Sequence, residues 1–127
     1  RSSGTRPLYY RAKHTSTRKP TRRQMDDLQL LAKDTRTLYG AEAKYLVALQ
    51  WYNAGNYASA EKEILNFIDQ STPHAYWLAR SFILLSDVYV AMDKKLDARQ
   101  YLLSLQQNYQ ADDDIASMIN ERLEKLK

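Results

Sequence analysis

From Ala41 onward, apolar residues recur at helical spacing and are broken by short polar stretches. Ala41–Asn53 carries Tyr45, Val47, Ala48, Trp51 and Tyr52, which predicts an amphipathic helix. Gly55-Asn56 interrupts it. A glycine just past a helix end takes the left-handed conformation without a Cβ penalty, so a C-cap and tight turn are expected there. Tyr57–Asp69 reads as the next helix, with Ala60, Ile64, Phe67 and Ile68 on one face. Ser71-Thr72-Pro73 ends this pair, because proline disfavours helix in the residue before it. Tyr76–Met92 is a long helix with Phe82, Leu85 and Tyr89 along it, and Asp93-Lys94-Lys95 is its turn. Leu96–Gln107 is the partner, with Ala98, Leu102 and Leu105 facing inward. Ile115–Leu126 is a last amphipathic helix through Ile115, Met118, Ile119, Leu123 and Leu126. Asp112–Asp114 precede it, where carboxylates cap free N–H groups and complement the helix dipole.

The N-terminal third is less regular. Pro7–Lys13 predicts a short helix through Leu8, Tyr9, Tyr10 and Ala12. Gln24–Tyr39 predicts another, with Met25, Leu28, Leu31, Ala32 and Leu38, and Thr15–Arg23 joins them.

Composition supports an all-α chain. There are 17 leucines and 14 alanines against 3 valines and 5 isoleucines, a balance that suits helices over strands. Three glycines in 127 residues are too few for the turns of a sandwich or barrel. Zero cysteine excludes disulfides, thiolate zinc sites and cysteine nucleophiles. No apolar run approaches the ~18 residues of a membrane span. The chain opens on Arg1 with no signal-peptide pattern, as expected of a processed product or an excised piece.

The formal charge of +4 is local. Residues 1–40 hold ten Lys/Arg against three Asp, a charge of +7, mostly within Arg11–Arg23. Residues 41–127 hold nine basic and twelve acidic residues, a charge of −3. The basic segment reads first as a solvated loop. Contact with an acidic or phosphate surface comes second, and nucleic-acid binding third, because no aromatic residue interleaves with Arg18–Arg23.

Shifted by 38 residues, the chain aligns with itself. Val47 falls on Leu85, Ala48 on Ser86, Trp51 on Tyr89, Gly55 on Asp93, Ala60 on Ala98, Ile64 on Leu102 and Phe67 on Leu105. Small residues match small and large match large, the signature of a helical repeat array. The first copy reads Lys44-x₂-Val47-Ala48-x₂-Trp51, then Ala60-x₃-Ile64, then Pro73. The second reads Phe82-x₂-Leu85-Ser86-x₂-Tyr89, then Ala98-x₃-Leu102. These residues resemble the tetratricopeptide repeat (TPR), whose pattern runs aromatic-x₂-Leu-Gly-x₂-Tyr, Ala-x₃-Phe, Pro. Lys44 replaces the leading aromatic, and no proline closes the second copy.

The resemblance implies an antiparallel helix-hairpin solenoid. Residues 1–40 form a basic arm and a degenerate N-terminal hairpin, residues 41–73 and 74–111 two repeats, and residues 112–127 a capping helix. The segments Tyr39–Tyr45 and Thr72–Arg80 resemble the C-terminal end of long TPR proteins of the bacterial cell envelope. That likeness implies the periplasm or outer-membrane surroundings, with the cytoplasm as the alternative.

No catalytic set emerges. His14 and His74 stand 60 residues apart without a second ligand at metal spacing. Asp112–Asp114 lack the glycine and terminal glutamate of an EF-hand. The three glycines are too dispersed for a phosphate loop. Trp51, Tyr57, Phe67, Trp77 and Tyr89 read as core rather than as a ligand cage. The expectation is a non-enzyme without metal or cofactor.

TPR arrays use the inner face of each repeat's first helix to bind protein or peptide partners. By helical offset that face carries Glu42, Tyr45, Leu49, Tyr52 and Asn53, then Arg80, Ile83, Asp87 and Val90. The Lys/Asn set of chaperone-tail-binding arrays is missing, since Tyr45 and Leu49 stand at its positions. The expected function is non-catalytic protein–protein interaction within a larger scaffold. Self-association through exposed repeat ends is a further partner class, and nucleic acid or an acidic surface at residues 11–23 is the alternative.

Overall fold

The computed structural model describes residues 19–127 and, among them, six helices and no strand. They are α1 (Arg22–Leu31), α2 (Leu38–Asn53), α3 (Tyr57–Asp69), α4 (Ala75–Ala91), α5 (Lys95–Asn108) and α6 (Ile115–Lys125). The helix expected at Pro7–Lys13 lies outside the described residues. From Tyr57 onward each expected helix is present to within about a residue at either end.

The single helix expected over Gln24–Tyr39 is two helices with a turn between them. A capping box starts α1: Gln24 N–H donates to Thr21 Oγ1 at 3.1 Å, and Thr21 N–H to Gln24 Oε1 at 2.8 Å. The box offsets the cost of Arg22 and Arg23 in a first turn that holds no acidic residue. After Leu31 the chain turns through residues 32–37, where Asp34 takes a 2.8 Å ion pair from Arg36. Thr37 then caps α2, accepting from Gly40 N–H at 2.9 Å. So α2 starts three residues before the expected Ala41. Gly40 is required here, because a Cβ would collide with the Asp34 carbonyl oxygen.

Each hairpin turn is a Schellman motif. After α2, Gly55 N–H donates to Tyr52 O and Asn56 N–H to Trp51 O, with Gly55 at φ 78°. After α4, Asp93 N–H donates to Val90 O and Lys94 N–H to Tyr89 O, with Asp93 at φ 61°. The 38-residue offset therefore preserves the turn even where aspartate replaces glycine.

Packing follows the same offset. Within each hairpin α2 packs on α3, and α4 on α5. Helix α4 also contacts α2 and α3, and α6 contacts α4 and α5 in the same manner. Helix α1 packs on α2 alone among the described helices. Ala60 and Ala98 are wholly buried, as are Ala48 and Ser86 at the matching positions of the first helices. Ser86 satisfies its buried hydroxyl by donating to Ile83 O at 2.6 Å. One apolar cluster joins α1 to α4 and reaches Ala98 of α5. A second, of Ala79, Ile83, Leu102, Leu105, Ile115 and Ile119, seals α6 onto the second hairpin. Of the aromatics read as core, Phe67 and Tyr89 are buried. Trp51, Tyr57 and Trp77 are half-buried against the first cluster.

Lys44, which replaces the leading aromatic, is buried. Its Nζ lies 2.7 Å from Glu63 Oε2 and donates to Asn66 Oδ1 at 2.7 Å. Shifting this pair by 38 residues gives Phe82 and Tyr101, whose rings lie 6.0 Å apart. One slot thus holds an ion pair in the first hairpin and an aromatic pair in the second.

Two outcomes are expected. Asp93→Gly should raise stability by about 0.5–1 kcal/mol by relieving the left-handed conformation, read as a shift of the urea midpoint. Glu63→Ala should destabilise by about 2 kcal/mol by orphaning the Lys44 charge. The transplant Lys44→Phe with Glu63→Tyr should recover most of that loss in a double-mutant cycle. Additive effects would show that the two positions do not share one slot.

Candidate functional site

Residues expected on the partner face come together on α2 and α4, with α6 completing the surface. Two polar nodes form there. At the first, Arg80 of α4 donates through Nη2 to Tyr45 Oη of α2 at 3.1 Å. Through Nη1 it donates to Tyr76 Oη at 2.9 Å, one helical turn earlier. Its guanidinium carbon lies 5.0, 5.8 and 5.7 Å from the ring centres of Tyr45, Tyr76 and Trp77, within cation–π range. Tyr76 Oη passes its own proton toward Asp114 Oδ1 at 2.9 Å, at the start of α6.

At the second node, Arg122 of α6 grips Asp87 of α4 with both arms of its fork. Nε donates to Oδ1 at 2.9 Å and Nη2 to Oδ2 at 3.0 Å. This bidentate pair is three-quarters buried on each side. Tyr52 stands beside it. A cavity of about 450 Å³ opens between Tyr52, Asp87, Val90, Lys95, Arg122 and Leu126.

The remaining expected residues are placed differently. Ile83 does not face a partner: it is buried in the second apolar cluster, because α6 covers that side of α4. Glu42 and Tyr45 are also buried, though Tyr45 keeps its hydroxyl on Arg80. Leu49 is half-buried against the first cluster. Asn53 is exposed and lines a separate cavity of about 880 Å³ beside Trp51, Gln50 and the start of α1. Val90 is partly exposed beside the second node.

Tyr76, Trp77, Asp114 and Arg122 were not expected here. Tyr76 and Arg80 are four residues apart on a helix, a spacing legible in the sequence. The link from Asp87 to Arg122 depends on how α6 stacks, which local pattern does not contain. Of the three aspartates expected to cap α6, Asp113 does so, accepting from Ile115 N–H at 2.9 Å. Asp114 turns its carboxylate to Tyr76 instead.

Among the described residues no group of three or more His, Asp or Glu is placed to hold a metal ion. His74 Nε2 lies 2.9 Å from Arg36 O, tying the start of α4 to the turn before α2. No described helix is long and apolar enough to cross a membrane. Of the basic segment, Lys19, Arg22 and Arg23 are described; Arg22 and Arg23 are exposed at the start of α1, and residues 11–18 lie outside the described range.

Burial, then the nearby Asp87 carboxylate, raises the Tyr52 phenol above its ordinary value of 10.0. Burial also raises Tyr76. In a spectrophotometric titration both should ionise later than free tyrosine. A folded-state value above the unfolded one stabilises fully below the unfolded pKa. That contribution disappears as pH climbs from about 10 through the folded value, so stability should fall across this window. Ionisation of every tyrosine near pH 10 with no late phase would contradict this.

No family model matches the chain, and neither the curated proteins nor the solved structures show a significant match to it.

Proposed function

We propose that this chain is a TPR-type helix-hairpin array acting as a non-catalytic protein–protein interaction module. It holds a peptide or partner helix along the face shared by α2 and α4, as part of a larger scaffold. The 38-residue offset supports the repeat, since it carries over the Schellman turns and the way each first helix packs on the hairpin before it. Helix α6 occupies the place a next repeat's first helix would take and so caps the last apolar face. Helix α1 contacts α2 much as the second helix of a preceding hairpin would.

The observation that carries the proposal is the row of aromatic and charged groups on this face. Tyr45 with Arg80, and Tyr52 with Asp87, combine broad rings with fixed polar handles. Such mixtures anchor partner segments, with tyrosine and arginine dominating the binding energy. The resemblance of Tyr39–Tyr45 and Thr72–Arg80 to bacterial cell-envelope arrays supports the periplasm or outer-membrane surroundings, with the cytoplasm as the alternative.

Peptide display selected on the wild-type protein tests the proposal. Tyr52→Ala should weaken a selected peptide at least tenfold, about 1.4 kcal/mol or more, while the thermal midpoint stays within a few degrees. Unchanged affinity in Tyr52→Ala would move the site elsewhere. Binding of DNA or RNA that falls steeply with salt would favour the basic segment instead.

A further inference from the structure

Two partly buried arginines serve this face, and the fold treats them differently. Arg122 has a carboxylate on its fork. Arg80 has no carboxylate within ion-pairing distance among the described residues; its acceptors are two neutral phenols. Its Nε–H is buried with no hydrogen-bond partner. A guanidinium is always charged and presents five donors, so two phenols leave most of that capacity unused. Asp114 is exposed and is linked to the cation only through the Tyr76 hydroxyl. Burying a charge without its counter-charge is costly, and a buried donor without an acceptor adds to that cost.

We infer that Arg80 is the receptor for a carboxylate supplied by the partner, seated beside the Tyr45 and Tyr76 hydroxyls on the Trp77 side of the face. Nε–H and one Nη2–H lie on the same edge of the planar fork, the arrangement that matches two carboxylate oxygens. That edge is closed in the free chain, so a carboxylate reaches it by displacing the Tyr45 phenol from Nη2, and then gives the buried Nε–H its acceptor. The freed Tyr45 hydroxyl can then donate to the same anion. The flanking rings of Tyr45 and Trp77, 5.5 Å apart, favour an apolar or aromatic group next to the charge. The inference rests on the α2–α4 face being the binding face and adds the chemistry of what it binds: an acidic peptide, through either its C-terminus or a side chain.

Three small probes test it on the whole chain by NMR, following the Arg80 Nε–H and the tyrosine rings. N-acetylphenylalanine carries a terminal carboxylate, N-acetylglutamic acid α-amide a side-chain carboxylate, and N-acetylphenylalanine amide neither. The expected result is a saturable shift of Arg80 Nε–H with one or both acids, at least tenfold weaker with the amide. The stronger acid identifies the source of the carboxylate. Arg80→Lys keeps the charge but loses the fork, and should weaken acid binding about tenfold without abolishing it. Arg80→Gln should abolish it, with circular dichroism confirming the fold of both variants. Equal shifts from acid and amide that vanish in Tyr52→Ala would overturn the carboxylate receptor and leave the face as a binding site. No shift from any probe, together with display-selected peptides indifferent to Tyr52→Ala, would overturn both.

Discussion

The close packing of helices at small side chains is the constraint on which the architecture depends. Ala48, Ala60, Ser86 and Ala98 are each at most 1% exposed and recur at one offset. Larger side chains there would hold the helices of a hairpin apart and force the neighbouring rotamers out of register. With that spacing fixed, the larger residues Ile64, Phe67, Leu85 and Leu102 fill the core around it. The same spacing aligns α2 and α4 so that Tyr45 reaches Arg80.

Much of this was legible in the sequence because it is local. Helical periodicity located α3 and α6, and Gly55 marked its turn. The 38-residue offset matched Val47, Ala48, Ala60, Ile64 and Phe67 to positions that the fold buries alike, though Trp51 is only half-buried where Tyr89 is buried. The break between α1 and α2 was harder to see, because Leu31, Ala32 and Leu38 continue a helical spacing across it. Only the Thr37 cap and the close approach of Gly40 to the Asp34 carbonyl end the ambiguity.

The candidate site was legible to a lesser degree. Helical offset assigned Tyr45, Arg80, Tyr52 and Asp87 to one side, and the fold brings them into two polar nodes. It also assigned Ile83, which α6 buries. An offset computed along one helix cannot show which neighbour will cover it. For the same reason Arg122 and Asp114 were missed: their roles come from a helix stacked 35 or 38 residues away. Lys44 looked like a departure from the repeat until Glu63 and Asn66 were seen around it.

The exchange of an ion pair for an aromatic pair at matching positions bears on how the helical fold responds to heat. Desolvating charge becomes less costly as temperature rises, so the Lys44–Glu63 slot weakens little on warming. The Phe82–Tyr101 slot draws on apolar burial, whose contribution is tied to a large heat-capacity change. The two hairpins therefore have stability curves of different shape. The interface that α4 forms with α2 and α3 is the contact through which the unfolding of one half is coupled to that of the other.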